Sequence, residues 1–305
     1  MDPFGVRLRA AVAARGPLCV GIDPHPGLLR DWGVGDDPDG LDRFARVAVD
    51  ALAGLVAVVK PQSAFFERLG SRGIAVLERA IADIRAAGAL ALLDVKRGDI
   101  GSTAAGYADA YLDPASALAA DAVTASPYLG FGSLQPLLAA ARSAGAGVFV
   151  LALTSNPEGA EVQRAIGAGG RTVAQRVVDA AAERNVAELA ADPAATAAGL
   201  GSVGVVVGAT VGAASLDLSS LHGPVLAPGV GEQGAALADL PAAFGAALPD
   251  VLPSVSRDLL RHGPDPARLR AAAVRLRDEA ATVIPARSGR VGAPSGRSVT
   301  RGQTS

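Results

Sequence analysis

The sequence predicts a (β/α)8 TIM barrel in a single domain, and three observations carry that expectation. Eight short apolar runs alternate with Ala-, Leu- and Arg-rich stretches of helical periodicity. The eight fit within about 250 residues, the usual size of such a barrel. Polar residues cluster just after the runs, whereas the run starts carry mostly Gly, Ala and Pro. In a parallel barrel the strand ends converge on one face, where barrel active sites sit.

The first run, residues 18–23, ends in Asp23 and is closed by Pro24-His25-Pro26-Gly27. Residues 40–53 place apolar side chains at helical spacing. The second run, 55–60, ends in Lys60 before Pro61-Gln62-Ser63, and 71–87 again has helical spacing. The third run starts at Ala89 and passes into Asp94. Residues 104–111 and 114–120 are predicted helical, and 122–126 form a weaker fourth run before Pro127-Tyr128-Leu129-Gly130. A helix over 133–144 leads to the fifth run, 147–153, which ends in Thr154-Ser155-Asn156-Pro157. After a longer segment containing a helix at 172–191, runs at 203–208, 223–228 and 251–255 complete the set. From Pro285 the chain is rich in Gly, Ser, Arg and Pro without apolar periodicity. Residues 1–284 are therefore expected to form the barrel and 285–305 a disordered tail.

Composition bounds the function. Of 305 residues 50% are hydrophobic and 19% charged, enough for a sizeable core. No apolar run approaches the roughly 18 residues of a membrane span. The start, Met-Asp-Pro-Phe-Gly-Val-Arg, lacks the basic segment and apolar core of a signal peptide. A net charge of −2, scattered arginines and 4% aromatics make no case for nucleic acid or lipid. Cys19 is the only cysteine, so no internal disulfide can form, which suits a reducing cytoplasm. It is expected to fill core rather than react.

The stretch most dense in chemistry is Asp94-Val-Lys96-Arg97-Gly-Asp99-Ile-Gly-Ser-Thr103. Side chains alternate along a strand, so Asp94 and Lys96 are expected on one side. Lys60 and Lys96 are the chain's only lysines; its other basic residues are arginine. Arginine serves a solvated face equally well, but not a position that needs a compact, transferable proton. Lys96 lies between Asp94 and Asp99 and is expected to be held as ammonium by both. That disfavours a Schiff base, which needs a neutral amine, and favours a general acid.

Pro228-Gly229-Val230-Gly231-Glu232-Gln233-Gly234 follows the seventh run, and Ser256-Arg257-Asp258 the eighth. Barrels often hold phosphate with these two loops. Gly231 allows close backbone approach, and Gln233 and Arg257 can donate from side chains. The glycines alone fit a plain turn as well.

With these residues in place the chain resembles the orotidine 5′-phosphate decarboxylases over about residues 15–260, through the pattern Asp-x-Lys-x-x-Asp-(Ile/Val)-x-x-Thr. The longer bacterial branch, with its extended segment after strand five, is the nearer match. The resemblance implies a dimeric barrel converting orotidine 5′-monophosphate to UMP and CO2 without metal or organic cofactor. It implies Lys96 as proton donor, Asp94 against the substrate carboxylate, and Asp23 and Lys60 at the ribose. Asp99 and Thr103 would enter the partner's site. Thr154 or Ser155 would read the pyrimidine; Gln233 and Arg257 would hold the phosphate.

Rival readings are a barrel decarboxylase of sugar-acid phosphates using Mg2+ on Asp94 and Asp99, a Schiff-base aldolase, and a phosphate-ligand binder without catalysis. His25, His222 and His262 follow no metal spacing. Trp32, Phe65 and Phe66 are expected to pack between helices, and Tyr128 either borders the site or packs.

Overall fold

The computed structural model describes residues 1–167, 169–211, 216–231 and 234–285. Each apolar run is a strand: β1 Cys19–Ile22, β2 Val58–Pro61, β3 Leu90–Arg97, β4 Ala122–Ala125, β5 Gly147–Leu153, β6 Val203–Val207, β7 Val225–Pro228 and β8 Val251–Val255. All pairings are parallel and follow chain order. The barrel closes where Cys19 pairs with Ser254 and Val20 with Val255.

The runs read as continuous apolar segments because both faces of each strand are buried. Alternate residues divide between two apolar layers. On β3, Leu90 and Leu92 join Cys19, Val58, Phe149 and Leu252 inside the barrel. Ala91 and Leu93 join the layer beneath the helices. In that layer the helix Pro38–Leu52 buries Leu41, Phe44, Ala45, Ala48, Val49 and Leu52, a helical stripe. Asp37 caps it by accepting from Gly40 N at 2.8 Å. Burying each large apolar side chain contributes about 1.5–3 kcal/mol before entropy is charged against it.

The sequence expectation omits the long helix Pro266–Val283 and short helices such as Pro26–Asp31 and Ser63–Glu67, and two further elements depart from it. A helix over Phe4–Arg15 precedes β1. Its inward residues, Phe4 and Leu8, join the interior layer, with the Phe4 ring edge-on to Phe149 at 5.9 Å between centroids. A Cβ at Gly147 would run into the Phe4 ring, so glycine is required there. The apolar residues of this helix, Phe4, Val6, Leu8 and Val12, are interleaved with Ala and Arg and form no strong stripe. Residues 114–120 form turns, not the predicted helix. The preceding helix ends at Leu112, ahead of Asp113-Pro114, because a residue before proline avoids helical dihedrals. Beyond it the side chains of Asp113 and Ser116 accept from Ala115 N and Leu118 N, competing with helical bonding.

Trp32 and Phe66 are buried as expected, Trp32 against Phe44 at 4.1 Å. Tyr128 is 77% exposed in the loop after β4, so it does not pack into the core of its own chain. The predicted tail from residue 286 lies outside the described residues. No helix among the described residues is long and apolar enough to cross a membrane.

Candidate active site

The polar residues at the barrel mouth continue the inward rows of the strands. Val58 is followed two residues later by Lys60, Leu92 by Asp94 and Ala122 by Thr124, while Asp23 lies just beyond β1. Period-2 alternation therefore delivers all four to the interior at its carboxyl end. Lys60 Nζ stands 3.0 Å from Asp94 Oδ2 and 3.9 Å from Asp23 Oδ1. Lys96 Nζ stands 2.6 Å from Asp94 Oδ1, and Thr124 Oγ1 donates to the same oxygen at 2.8 Å. Gln62, oriented so that both ends of its amide are satisfied, donates to Asp94 Oδ2 and accepts from Lys96 Nζ at 3.2 Å.

Lys96 reaches this position through an irregular backbone. Between the pairs Leu93–Val123 and Arg97–Ala125, β3 advances four residues while β4 advances two. Lys96 has φ +47°, one of two non-glycine residues in the left-handed region among those described. The expectation that Asp94 and Lys96 share a side holds, but a bulge and not plain alternation places Lys96. Its amide, displaced from the ladder, donates to Thr124 Oγ1 at 2.9 Å.

Burial acts against the charges of Lys60 and Asp94. For Lys60 it would lower the pKa, but the Asp94 and Asp23 carboxylates outweigh it and the pKa is raised. For Asp94 burial would raise the pKa, but Lys60, Lys96 and the Thr124 hydroxyl outweigh it, holding the carboxyl well below its usual range. Lys60 and Asp94 are therefore both charged at neutral pH. Burial pushes the Cys19 thiol up to about 12. Cys19 is thus interior filler, as the sequence suggested.

The remaining predicted residues divide. Asp99 makes no ion pair with Lys96 within the chain; it accepts from Ile100 N at 2.8 Å. Within the chain, therefore, Asp94 alone of the two carboxylates reaches Lys96. Thr103 is exposed on the helix Gly101–Leu112. The Thr154 hydroxyl lies between Gln163 Nε2 at 2.7 Å and Asn156 Oδ1 at 2.6 Å. Ser155 follows it, close to Gly208 at the end of β6.

Gly231 adopts φ +88°, and its amide donates to Ala235 O at 2.8 Å. A Cβ there would press on Asp258, so the glycine permits this turn. Arg257 and Asp258 border an open cleft of about 480 Å³ with His25 and Arg261. Gln233 lies outside the described residues. A second cavity, about 510 Å³, is lined by Met1, Arg142 and Ser202 near the starts of β5 and β6, away from Lys96.

Sequence reasoning missed Gln62 and Thr124. Gln62 stands two residues beyond Lys60, a position the alternation rule marks as inward. Thr124 is the one hydroxyl within a fully buried strand segment, Ala122–Ala125.

Alternating ammonium and carboxylate groups, fixed at the carboxyl ends of β1 to β3 beside a Gly-containing loop and an arginine, define a (β/α)8-barrel enzyme. Residues 16–272 match the model of the Orotidine 5′-phosphate decarboxylase / HUMPS family, and the chain belongs to that family. It is 63% identical over 276 residues to the orotidine 5′-phosphate decarboxylase of Salinispora arenicola, covering 90% of this chain and 96% of that one. It is 57% identical over 290 residues to that of Streptomyces coelicolor, covering 94% and 100%. Among solved structures, a Streptomyces avermitilis protein superposes with TM-score 0.88 at 57% identity, over 93% of this chain and 96% of the other. The Leishmania donovani OMP decarboxylase superposes with TM-score 0.67 at 32% identity, over 92% and 98%.

Proposed function

We propose that this chain decarboxylates orotidine 5′-monophosphate to UMP and CO2 in pyrimidine biosynthesis, needing neither metal nor organic cofactor. The single observation that carries the mechanism is the array Lys60–Asp94–Lys96, with Asp94 2.6 Å from one ammonium and 3.0 Å from the other. Breaking the bond from C6 to the carboxylate leaves its electron pair on C6, in the ring plane, where no π system accepts it. Fixed charge and a waiting proton must do the work. Lys96 Nζ gives its proton to C6 as CO2 departs, and water restores the ammonium.

Asp94 lies against the substrate carboxylate. Unit charges about 4 Å apart interact by about 4 kcal/mol at an effective dielectric near 20, so this repulsion assists without supplying the whole effect. Asp23 Oδ1 is buried with no hydrogen-bond partner among the described residues, which supports a ribose hydroxyl donating there. Lys60 holds a second hydroxyl. Ser155, following Thr154 at the end of β5, reads the pyrimidine amide edge. Arg257, Gln233 and the Gly231 loop hold the phosphate, whose binding energy is used at the reacting carbon.

The same reading makes the enzyme a homodimer in which Asp99 and Thr103 complete the partner's site. Ile100 at 61% exposure and Leu129 at 52%, beside Tyr128, support an apolar contact at this end of the barrel. A cytoplasmic location is supported by the single, buried cysteine. The Mg2+-dependent reading is disfavoured because both Asp94 oxygens are already occupied by ammonium and hydroxyl partners.

The test is the absorbance change of orotidine 5′-monophosphate with purified protein in EDTA. Rapid loss, absent for unphosphorylated orotidine at equal concentration, supports both the reaction and the use of phosphate. No change with folded dimer would transfer the reading to sugar-acid phosphates and Mg2+.

A further inference from the structure

The bulge in β3 leaves two problems at its centre. Lys96 holds a left-handed backbone that a side chain with a Cβ disfavours, and its amide has lost its place in the ladder. Asp94 must also point one oxygen at Lys96 and the other at Lys60 without rotating between them. One side chain meets both needs. Thr124 is 1% exposed and sits on β4, facing the bulge.

Hydrogen-bond chemistry settles the direction of its bonds. Lys96 N–H can only donate, so Thr124 Oγ1 accepts from it at 2.9 Å. The Asp94 carboxylate can only accept, so the same hydroxyl spends its proton on Oδ1 at 2.8 Å. That oxygen in turn receives Lys96 Nζ at 2.6 Å. Lys96 is thus fixed at both ends, backbone and ammonium, through one hydroxyl and one carboxylate. Gln62 touches only the two side-chain ends.

We infer that Thr124 is a positioning residue for the reaction: its hydroxyl locks the bulged backbone of Lys96 and the rotation of Asp94 together, so that the ammonium meets C6 at one fixed point. This rests on the reading of Lys96 as proton donor. Valine fills the same space but neither accepts from Lys96 N–H nor donates to Asp94, whereas serine keeps both bonds and loses only a methyl group.

The experiment compares the full-length Thr124→Val, Thr124→Ser and Lys96→Ala chains for turnover of orotidine 5′-monophosphate, affinity for UMP and thermal unfolding. A misplaced reacting group costs on the order of 10- to 100-fold in rate, and that fall in kcat is expected for Thr124→Val. Its KM and UMP affinity should stay within about threefold of the parent, and Thr124→Ser should keep kcat within about threefold. Should the valine chain not fold, Thr124→Ala, which likewise has no hydroxyl to accept from Lys96 N–H or donate to Asp94, gives the same readout.

Unchanged kcat in a folded valine or alanine chain overturns the inference while Lys96→Ala is inactive. So does a serine chain as impaired as the valine one, which would assign the effect to packing of the methyl. Full activity in Lys96→Ala would remove the proton-donor reading, and the role of Thr124 with it.

Discussion

Asp94 Oδ1 lies 2.6 Å from the ammonium of Lys96, two residues further along the same strand. Through its other oxygen the same carboxylate holds Lys60 at 3.0 Å. One buried anion thus orders two cations, and the proposed chemistry depends on which of them faces the substrate. Lys96, with 44% of its side chain exposed, faces the opening; Lys60, at 7%, is sealed within the barrel.

Lys96→Ala is therefore expected to bind UMP, yet lose turnover by on the order of 10^4-fold, the upper range for a positioned general acid. Steady-state rates with calorimetric UMP titration test this. Near-normal turnover would end the assignment of Lys96 as proton donor.

Asp94→Asn leaves Lys60 buried with only Asp23, 3.9 Å away, to offset its charge. Removing one partner of a buried ion pair costs about 3–5 kcal/mol, and a loss near the lower figure is expected at neutral pH. The sign with pH follows from the lowered pKa of Asp94. Its contribution is present above the unfolded carboxyl pKa of about 3.9 and fades as pH falls below it. Denaturant melts should accordingly show the parent–variant gap narrowing at acid pH. A gap that widens there would contradict the charged-pair account.

Asp99→Ala and Lys96→Ala chains, each inactive alone, should regain part of the activity when mixed, if Asp99 crosses to the partner's site. Within its own chain Asp99 bonds only to Ile100 N among the described contacts, which leaves it available for that role. Verified mixed dimers that stay inactive would put Asp99 in its own site.

Arg257→Ala should raise KM for the nucleotide by on the order of 10- to 100-fold, matching the about 1.5–3 kcal/mol of a hydrogen bond to a charged group. Its effect on unphosphorylated orotidine should be slight. Equal losses on both substrates would show that Arg257 does not act through phosphate.

The Cys19 thiol, pushed up to about 12 by burial, should resist thiol reagents at pH 8 until the barrel is unfolded by denaturant. Fast labelling of the native protein would mean the interior row opens more readily than its packing implies.

The eight strands and the presence of Asp23, Lys60, Asp94 and Lys96 at the barrel mouth were legible in the sequence. Apolar runs buried on both faces have a composition that helices and loops do not share. Position directly after an apolar run singled out Asp23, Lys60 and Asp94, while which row of each run faces inward came only with the closed barrel. The lysine bias singled out Lys60 and Lys96 by chemistry alone. The N-terminal helix was not legible, because its worth lies in two residues plugging a barrel that other segments build.

Only the tertiary structure decided what surrounds Lys96. Thr124 lies 28 residues from Lys96 and 30 from Asp94 along the chain, and their meeting depends on the β3–β4 register. A bulge breaks the period-2 rule at that point, and no local pattern states which strand will carry the extra residues. Asp99, which the linear motif sets beside Lys96, makes no ion pair with it within the chain. Spacing along a chain determines which side chains share a strand face; the partners across the sheet, and the backbone conformation that they hold, come only with pairing.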